Sequence, residues 1–373
     1  MLDGTLARRL APTLLRLLLE LRKSQLQEQV GAAPQAYFFQ TRAQAEWLRL
    51  ERFAERGGLK PALRRISLTL ERRNGRLQCK TGRWKDAVRT LEGLTREHPG
   101  EADGVFWLAR AYDQFERPKL AQETLRRAFE NGYRPKGLRV YSRRDTDPAA
   151  AELVDFYQRL GFHALAVMLL RDASHPQAGW QRTLSLLALG RSKEASLRAL
   201  TQLGTYPNDS YAWLSVGFVA ALEGDNEVAE SALRASIHND PENLAAKEQL
   251  YLLWAHTRSP HERRNALAYL DEHEPQGGHR ALGKGILLAS LGQWAKALQA
   301  LPDATLGSMT VLELAGHGQC RLGKAGSGCA RLQRFLSWSE ISRLPLLYRC
   351  ERLFSARRRL AAYSADAVRQ SST

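Results

Sequence analysis

The sequence predicts an all-α protein, an array of about eight helical hairpins. Three observations point there. Small residues, turn glycines and closing prolines recur at a fixed interval: Gly224, Ala229 and Pro241 repeat Gly190, Ala195 and Pro207 with a spacing of 34 residues. Bulky apolar residues alternate with them, as Trp213 and Leu233 do around Gly217 in the block from Ser210 to Pro241. The same phrasing returns downstream, where Leu291-Gly292 precedes Trp294 and Ala297, and Leu322-Gly323 precedes Leu332. Alanine and glycine let two antiparallel helices approach closely, and the large side chains fill the space between them. A chain of 373 residues would suggest two or three globular domains, but stacked hairpins make a body whose core grows linearly with repeat number.

Taken in order, residues 1–67 read as a basic helical cap or degenerate repeat. Arg16 and Glu20 interrupt the leucine-rich stretch of residues 2–30, so no apolar run there approaches a bilayer span, and no small-residue cleavage site follows. The pattern predicts a helix over Pro12–Gln29 with the proline in its first turn, then helices over Ala43–Glu55 and Pro61–Arg73. Residues 68–135 hold a pair of repeats. Gly75, Gly82, Ala87, Leu91 and Pro99 mark the first, and Leu108, Ala109, Tyr112, Ala121, Leu125 and Ala128 the second. Residues 136–147, with GLRVYSRRDTD, break the period and read as a joint. Residues 148–340 carry the remaining array, which opens on a short unit marked by Gly161, Ala166, Leu170 and Pro176. Within it the turn at 257–262 is enlarged, so Arg263 falls where a small residue belongs and Ala266 is expected to replace it. Residues 341–373 read as a basic capping helix and tail.

Trp213, Gly217, Ala220, Gly224, Ala229, Leu233 and Pro241 together resemble the tetratricopeptide repeat (TPR) signature. The resemblance spans roughly three quarters of the chain, from about residue 68 to about residue 340. It implies a right-handed α-α superhelix whose inner wall is lined by the first helix of each repeat. It names no partner, because such folds serve many unrelated functions. Members that clamp a chaperone's carboxy-terminal carboxylate use Lys, Asn and Arg at fixed inner positions. Here Arg72 and Arg76 stand where Lys and Asn would be, and Trp107 where an Asn is expected, so that role is not implied.

The formal charge of +16 sits at the two ends. Residues 1–99 hold 20 Lys/Arg against 10 Asp/Glu, residues 340–373 hold 7 against 3, and the rest is nearly neutral at 28 against 26. Such fields attract acidic proteins, anionic lipid or nucleic acid, and they weaken with salt. Cys79, Cys320, Cys329 and Cys350 show no CxxC pairing and read as reduced thiols, which fits a reducing cytoplasm.

Motifs that carry chemistry fail on context. Gly318-x4-Gly323-Lys324 and Gly278-x4-Gly283-Lys284 start like phosphate-binding loops, but Ala325 and Gly285 stand where the magnesium-binding hydroxyl belongs, and neither follows a predicted strand. The nine histidines, among them His256, His261, His273 and His279, lack cysteines or carboxylates at metal-ligand spacing. No GxSxG or HExxH occurs. The chain therefore reads as non-catalytic, with no cofactor and no metal.

Binding is expected on the inner wall, at the second, fifth, ninth, twelfth and thirteenth positions of each unit. These give Arg72, Arg76 and Lys80, then Phe106, Arg110 and Gln114, then Trp180, then Tyr211, Leu214 and Phe218, followed by Glu248 and His256. The expected partner is a protein or peptide with acidic residues at one end and bulky apolar anchors at the other. The leading function is a cytoplasmic scaffold or adaptor. A second is a peripheral accessory of secretion or exopolysaccharide machinery, docked on an anionic membrane at the inner face through residues 1–30. The third, RNA binding by the basic amino-terminal third with Trp47, Trp84 or Phe106 stacking on bases, has no recognition motif behind it and ranks behind the other two.

Overall fold

The computed structural model describes residues 4–57, 60–115, 117–134, 148–171, 173, 175–274, 277–302, 309–347 and 349–371. The expected joint at 136–147 lies outside the described residues. Every regular element among them is helical. Sixteen helices form eight consecutive hairpins: α3 (Lys60–Lys80) with α4 (Trp84–Glu97), α5 (Ala102–Gln114) with α6 (Pro118–Glu130), α7 (Pro148–Arg159) with α8 (His163–Leu169), α9 (Pro176–Ala188) with α10 (Ser192–Thr205), α11 (Ser210–Glu223) with α12 (Asn226–Asn239), α13 (Leu244–Thr257) with α14 (Pro260–His273), α15 (Gly278–Ser290) with α16 (Trp294–Ala300), and α17 (Met309–Arg321) with α18 (Ala325–Ser342). Ahead of them stand α1 (Gly4–Gln29) and α2 (Ala33–Gly57), and behind them α19 (Arg349–Ser371). The chain divides into two compact units, Met1–Lys136 and Gly137–Thr373.

The repeat signature acts through geometry. Gly82, Gly161, Gly190, Gly224, Gly292 and Gly323, each between the two helices of a hairpin, have φ between +72° and +88°, a region that L side chains rarely adopt. Gly217 serves differently. A Cβ built there would stand 2.9 Å from Leu233 Cγ and 3.1 Å from the Leu233 backbone nitrogen, so α11 and α12 touch backbone to backbone. Helix starts are fixed by side chains: Asp209 accepts from the Tyr211 and Ala212 amides, Asp225 from Val228, and Asn243 from Ala246. Two hairpins, α5–α6 and α13–α14, have no turn glycine; α13–α14 uses a capping box in which Ser259 and Glu262 satisfy each other's backbone amides. Ala266 is buried, while Arg263 turns aside to donate to the carbonyls of Arg258 and Ser290.

Three boundaries differ from the sequence expectation. Helix α1 starts at Gly4, with Pro12 inside it rather than in its first turn; the preceding Leu, Ala and Arg residues are good helix formers, and the proline removes a single backbone donor. Helix α2 begins at Ala33, with Pro34 in its first turn. The third cap helix and the first repeat helix are one continuous element, α3, so residue 67 falls inside a helix.

Candidate functional site

In the unit Met1–Lys136, the inner positions of α3 are held by acids from neighbouring elements. Arg72 pairs with Glu101 at 3.2 Å and Asp103 at 3.4 Å. Glu28 of α1 receives Arg73 at 3.3 Å, Arg76 at 2.7 Å and Lys80 at 2.9 Å. Burial alone would raise the Glu28 carboxyl, but the Lys80 hydrogen bond and the charges of Arg76, Lys80 and Arg73 hold it below its ordinary value. Arg72, Arg76 and Lys80 stay 37, 37 and 39 % exposed, so they face solvent while pinned at their tips. Arg110 of α5 is half-buried, its guanidinium 5.7 Å from the centre of the Trp107 ring.

The apolar half of the expected groove is core. Phe106 is 3 % exposed and stacks on Tyr133, ring centres 4.3 Å apart and planes 10° from parallel. In the unit Gly137–Thr373, Trp180 and Phe218 meet edge to face at 5.2 Å, and Leu214 is completely buried. Phe106, Trp180, Leu214 and Phe218 are therefore not open anchors, which corrects the sequence expectation. Tyr211 alone of the apolar set keeps partial exposure.

What covers the inner wall of this unit is its own carboxy-terminal segment. Leu347, 2 % exposed, belongs to the same apolar cluster as Trp180, Leu214, Phe218, Leu252, Leu282 and Ile286. Two residues into the next helix, Glu351 approaches His256 of α13 at 4.0 Å. Arg352 then donates to Glu313 of α17 at 2.6 Å and to the Thr310 hydroxyl at 3.1 Å, with the Arg352 and Glu313 side chains 5 % and 7 % exposed. Thr310 in turn hydrogen-bonds to Glu248 of α13, whose carboxyl burial pushes up. Ala356 closes the contact against Leu312, Leu332 and Phe335. Glu248, His256, Glu313 and His317 are all inner-wall positions. The last two escaped the sequence reading, although counting five and nine from Met309 would have found them.

Between α13, α15, α17 and α19 remains a cavity of about 330 Å³, lined among others by Trp294, His317, Arg321, Arg352 and Arg359. His317 is 6 % exposed, and burial together with Arg359, Arg321 and Arg352 lowers its pKa to about 4. Its imidazole is neutral at pH 7.

The motifs set aside earlier lie in the array itself. Gly283 and Lys284 are inside α15, where Lys284 pairs with Asp271 at 2.8 Å, and Gly323 is a left-handed turn residue. Among the described residues no group of three or more His, Cys, Asp or Glu is placed to hold a metal, and no helix is long and apolar enough to cross a membrane.

Residues 72–135 match the tetratricopeptide repeat family model. Over that stretch the chain is similar to tetratricopeptide repeat proteins, and its described residues form an all-α array of helical hairpins. Among solved structures it is similar to the APC/C hetero-tetramer Cut9-Hcn1, at 15 % identity over 93 % of this chain and 85 % of that one, with a TM-score of 0.43. It is also similar to YrrB, described as a TPR protein with an unusual peptide-binding site, at 14 % identity over 68 % and 95 % of the two chains and a TM-score of 0.25. The TPR2AB-domain:pHSP90 complex of yeast Sti1 gives 10 % identity over 87 % and 98 %, with a TM-score of 0.25. No curated protein matches the chain.

Proposed function

We propose that this protein is a non-catalytic, cytoplasmic scaffold whose inner wall holds a segment of a partner protein. The observation that supports this reading best is intramolecular: the inner positions of α13 and α17 already hold a polypeptide, the segment containing Leu347, Glu351 and Arg352. A wall that seats an apolar anchor followed by a helix bearing one buried charge has the chemistry of peptide recognition. In the unit Met1–Lys136, Arg72, Arg76, Lys80 and Arg110 form the complementary open surface. They suit acidic residues of a partner, whose carboxylates would take over from Glu28, Glu101 and Asp103, while Tyr211 offers an aromatic contact in the other unit. Affinity capture from the native organism with mass spectrometry tests this. The R72A/R76A/K80A variant, with helicity intact by circular dichroism, should lose the principal captured protein; unchanged capture refutes the reading.

A second reading has its own observation. On α1, Leu15, Leu18, Leu19 and Leu26 are 45 to 69 % exposed, with Arg16 and Arg22 also facing solvent. An apolar stripe flanked by arginines suits the headgroup boundary of an anionic membrane at the inner face. Co-sedimentation with phosphatidylserine vesicles, abolished by L15E/L19E, is the expected result, and no sedimentation of the intact chain overturns it.

A further inference from the structure

The cavity beside α19 lies within the volume range of small-ligand sites at about 330 Å³. Part of its wall is apolar, formed by Leu252, Ile286, Trp294 and Leu314. The rest is cationic: four guanidinium groups, Arg263, Arg321, Arg352 and Arg359, face two carboxylates, Glu313 and Glu351. Their commitments differ. Arg352 is spent on Glu313 and Thr310, and Arg263 on two backbone carbonyls. Glu351 is 74 % exposed and lies beside His256 rather than an arginine. Arg321 and Arg359 have no carboxylate partner among the described residues; Arg321 sits 5.4 Å over the Trp294 ring. His317, with its Nε2 buried and without a hydrogen-bond partner, completes the polar wall.

Two uncommitted guanidiniums and an unsatisfied imidazole against an aromatic and aliphatic wall are complementary to an anion with an apolar body. An isolated inorganic ion would leave that wall empty. We propose that this cavity binds a small organic carboxylate, its carboxylate held by Arg321 and Arg359 and its apolar body lying against Trp294, Ile286 and Leu252. Because Arg352, Ser355 and Arg359 come from α19, the ligand also ties that helix to the inner wall. This inference stands apart from the scaffold reading, since neither requires the other.

Calorimetric titration of the full chain with benzoate, 3-phenylpropionate and hexanoate tests it, with 3-phenylpropionamide and inorganic phosphate as comparisons. At least one carboxylate should bind saturably at a single site. The R321Q/R359Q variant should weaken it about tenfold or more, and 3-phenylpropionamide should bind about tenfold or more weaker than 3-phenylpropionate. Neither arginine makes an ion pair, so the variant should keep its helicity; if it does not, the acid-amide comparison on the natural chain decides. No saturable binding of any of the three at about 10 mM, equal binding of acid and amide, phosphate binding as tightly as the acids, or a folded R321Q/R359Q variant with undiminished affinity would each overturn the assignment.

Discussion

Replacing Arg352 by Met keeps an unbranched side chain of similar reach and removes the guanidinium. Glu313, 7 % exposed, then loses a donor at 2.6 Å, Thr310 loses one at 3.1 Å, and the half-buried Glu248 loses a nearby positive charge. Deleting one partner of a buried ion pair costs about 3–5 kcal/mol, because the other charge stays behind without compensation. Three of those kilocalories correspond to a change of roughly a hundredfold in an equilibrium constant. In a hairpin stack, where each element contacts mainly its neighbours, the loss falls first on the docking of α19. Urea denaturation followed by circular dichroism should show the lowered midpoint. Adding Glu313→Leu should restore most of the stability, since an apolar pair in place of a buried salt bridge is commonly neutral or stabilising. A cost for R352M within about 0.5 kcal/mol, the range of surface substitutions, would refute this reasoning, as would failure of E313L to rescue it.

Other expectations follow from the same contacts. His317 titrates near its ordinary value of 6.5 when unfolded and at about 4 when folded, so the unfolded chain takes up the proton first and stability falls as pH drops from about 6.5 towards 4, by about 3 kcal/mol in full. Denaturation of wild type against H317Q across that window isolates this residue, because the lowered His163, His175 and His256 contribute alike to both chains. Glu28→Gln leaves Arg73, Arg76 and Lys80 without their shared acid and should cost about 1–3 kcal/mol; since the Glu28 carboxyl is held low, its contribution is complete above its ordinary value and disappears as pH falls through the folded one. Gly217→Ala gains about 1 kcal/mol of helix propensity but drives a methyl to 2.9 Å of Leu233 Cγ and 3.1 Å of its backbone nitrogen, a strain of about 1–3 kcal/mol; a lowered thermal midpoint is expected, and a raised one contradicts the close approach of α11 and α12.

The repeat was legible because its markers act locally. A left-handed turn glycine, a contact glycine such as Gly217 and an Asp209 cap each exert their effect within a single hairpin. The 34-residue cadence also placed Glu248 and His256 on the inner wall. It could not say what lies over that wall. Trp180 and Phe218 occupy inner positions by count yet are core, since they pack on each other within one extended apolar cluster. Nothing in a period carries that information, nor the pairing of α19 residues Glu351 and Arg352 with His256 of α13 and Glu313 of α17. The charge balance was silent on pairing for a related reason. Glu28, which pairs with Arg76 and Lys80, stands 48 and 52 positions earlier in the sequence.

Hydrogen exchange of the full chain, read by mass spectrometry over residues 349–360, tests most directly whether the inner wall holds this protein's own carboxy-terminal segment. Protection comparable to that of α17, lost in R352M while α11 and α12 keep theirs, is the predicted result. Exchange of those amides at the rate of a free peptide would mean that α19 is not seated on the wall.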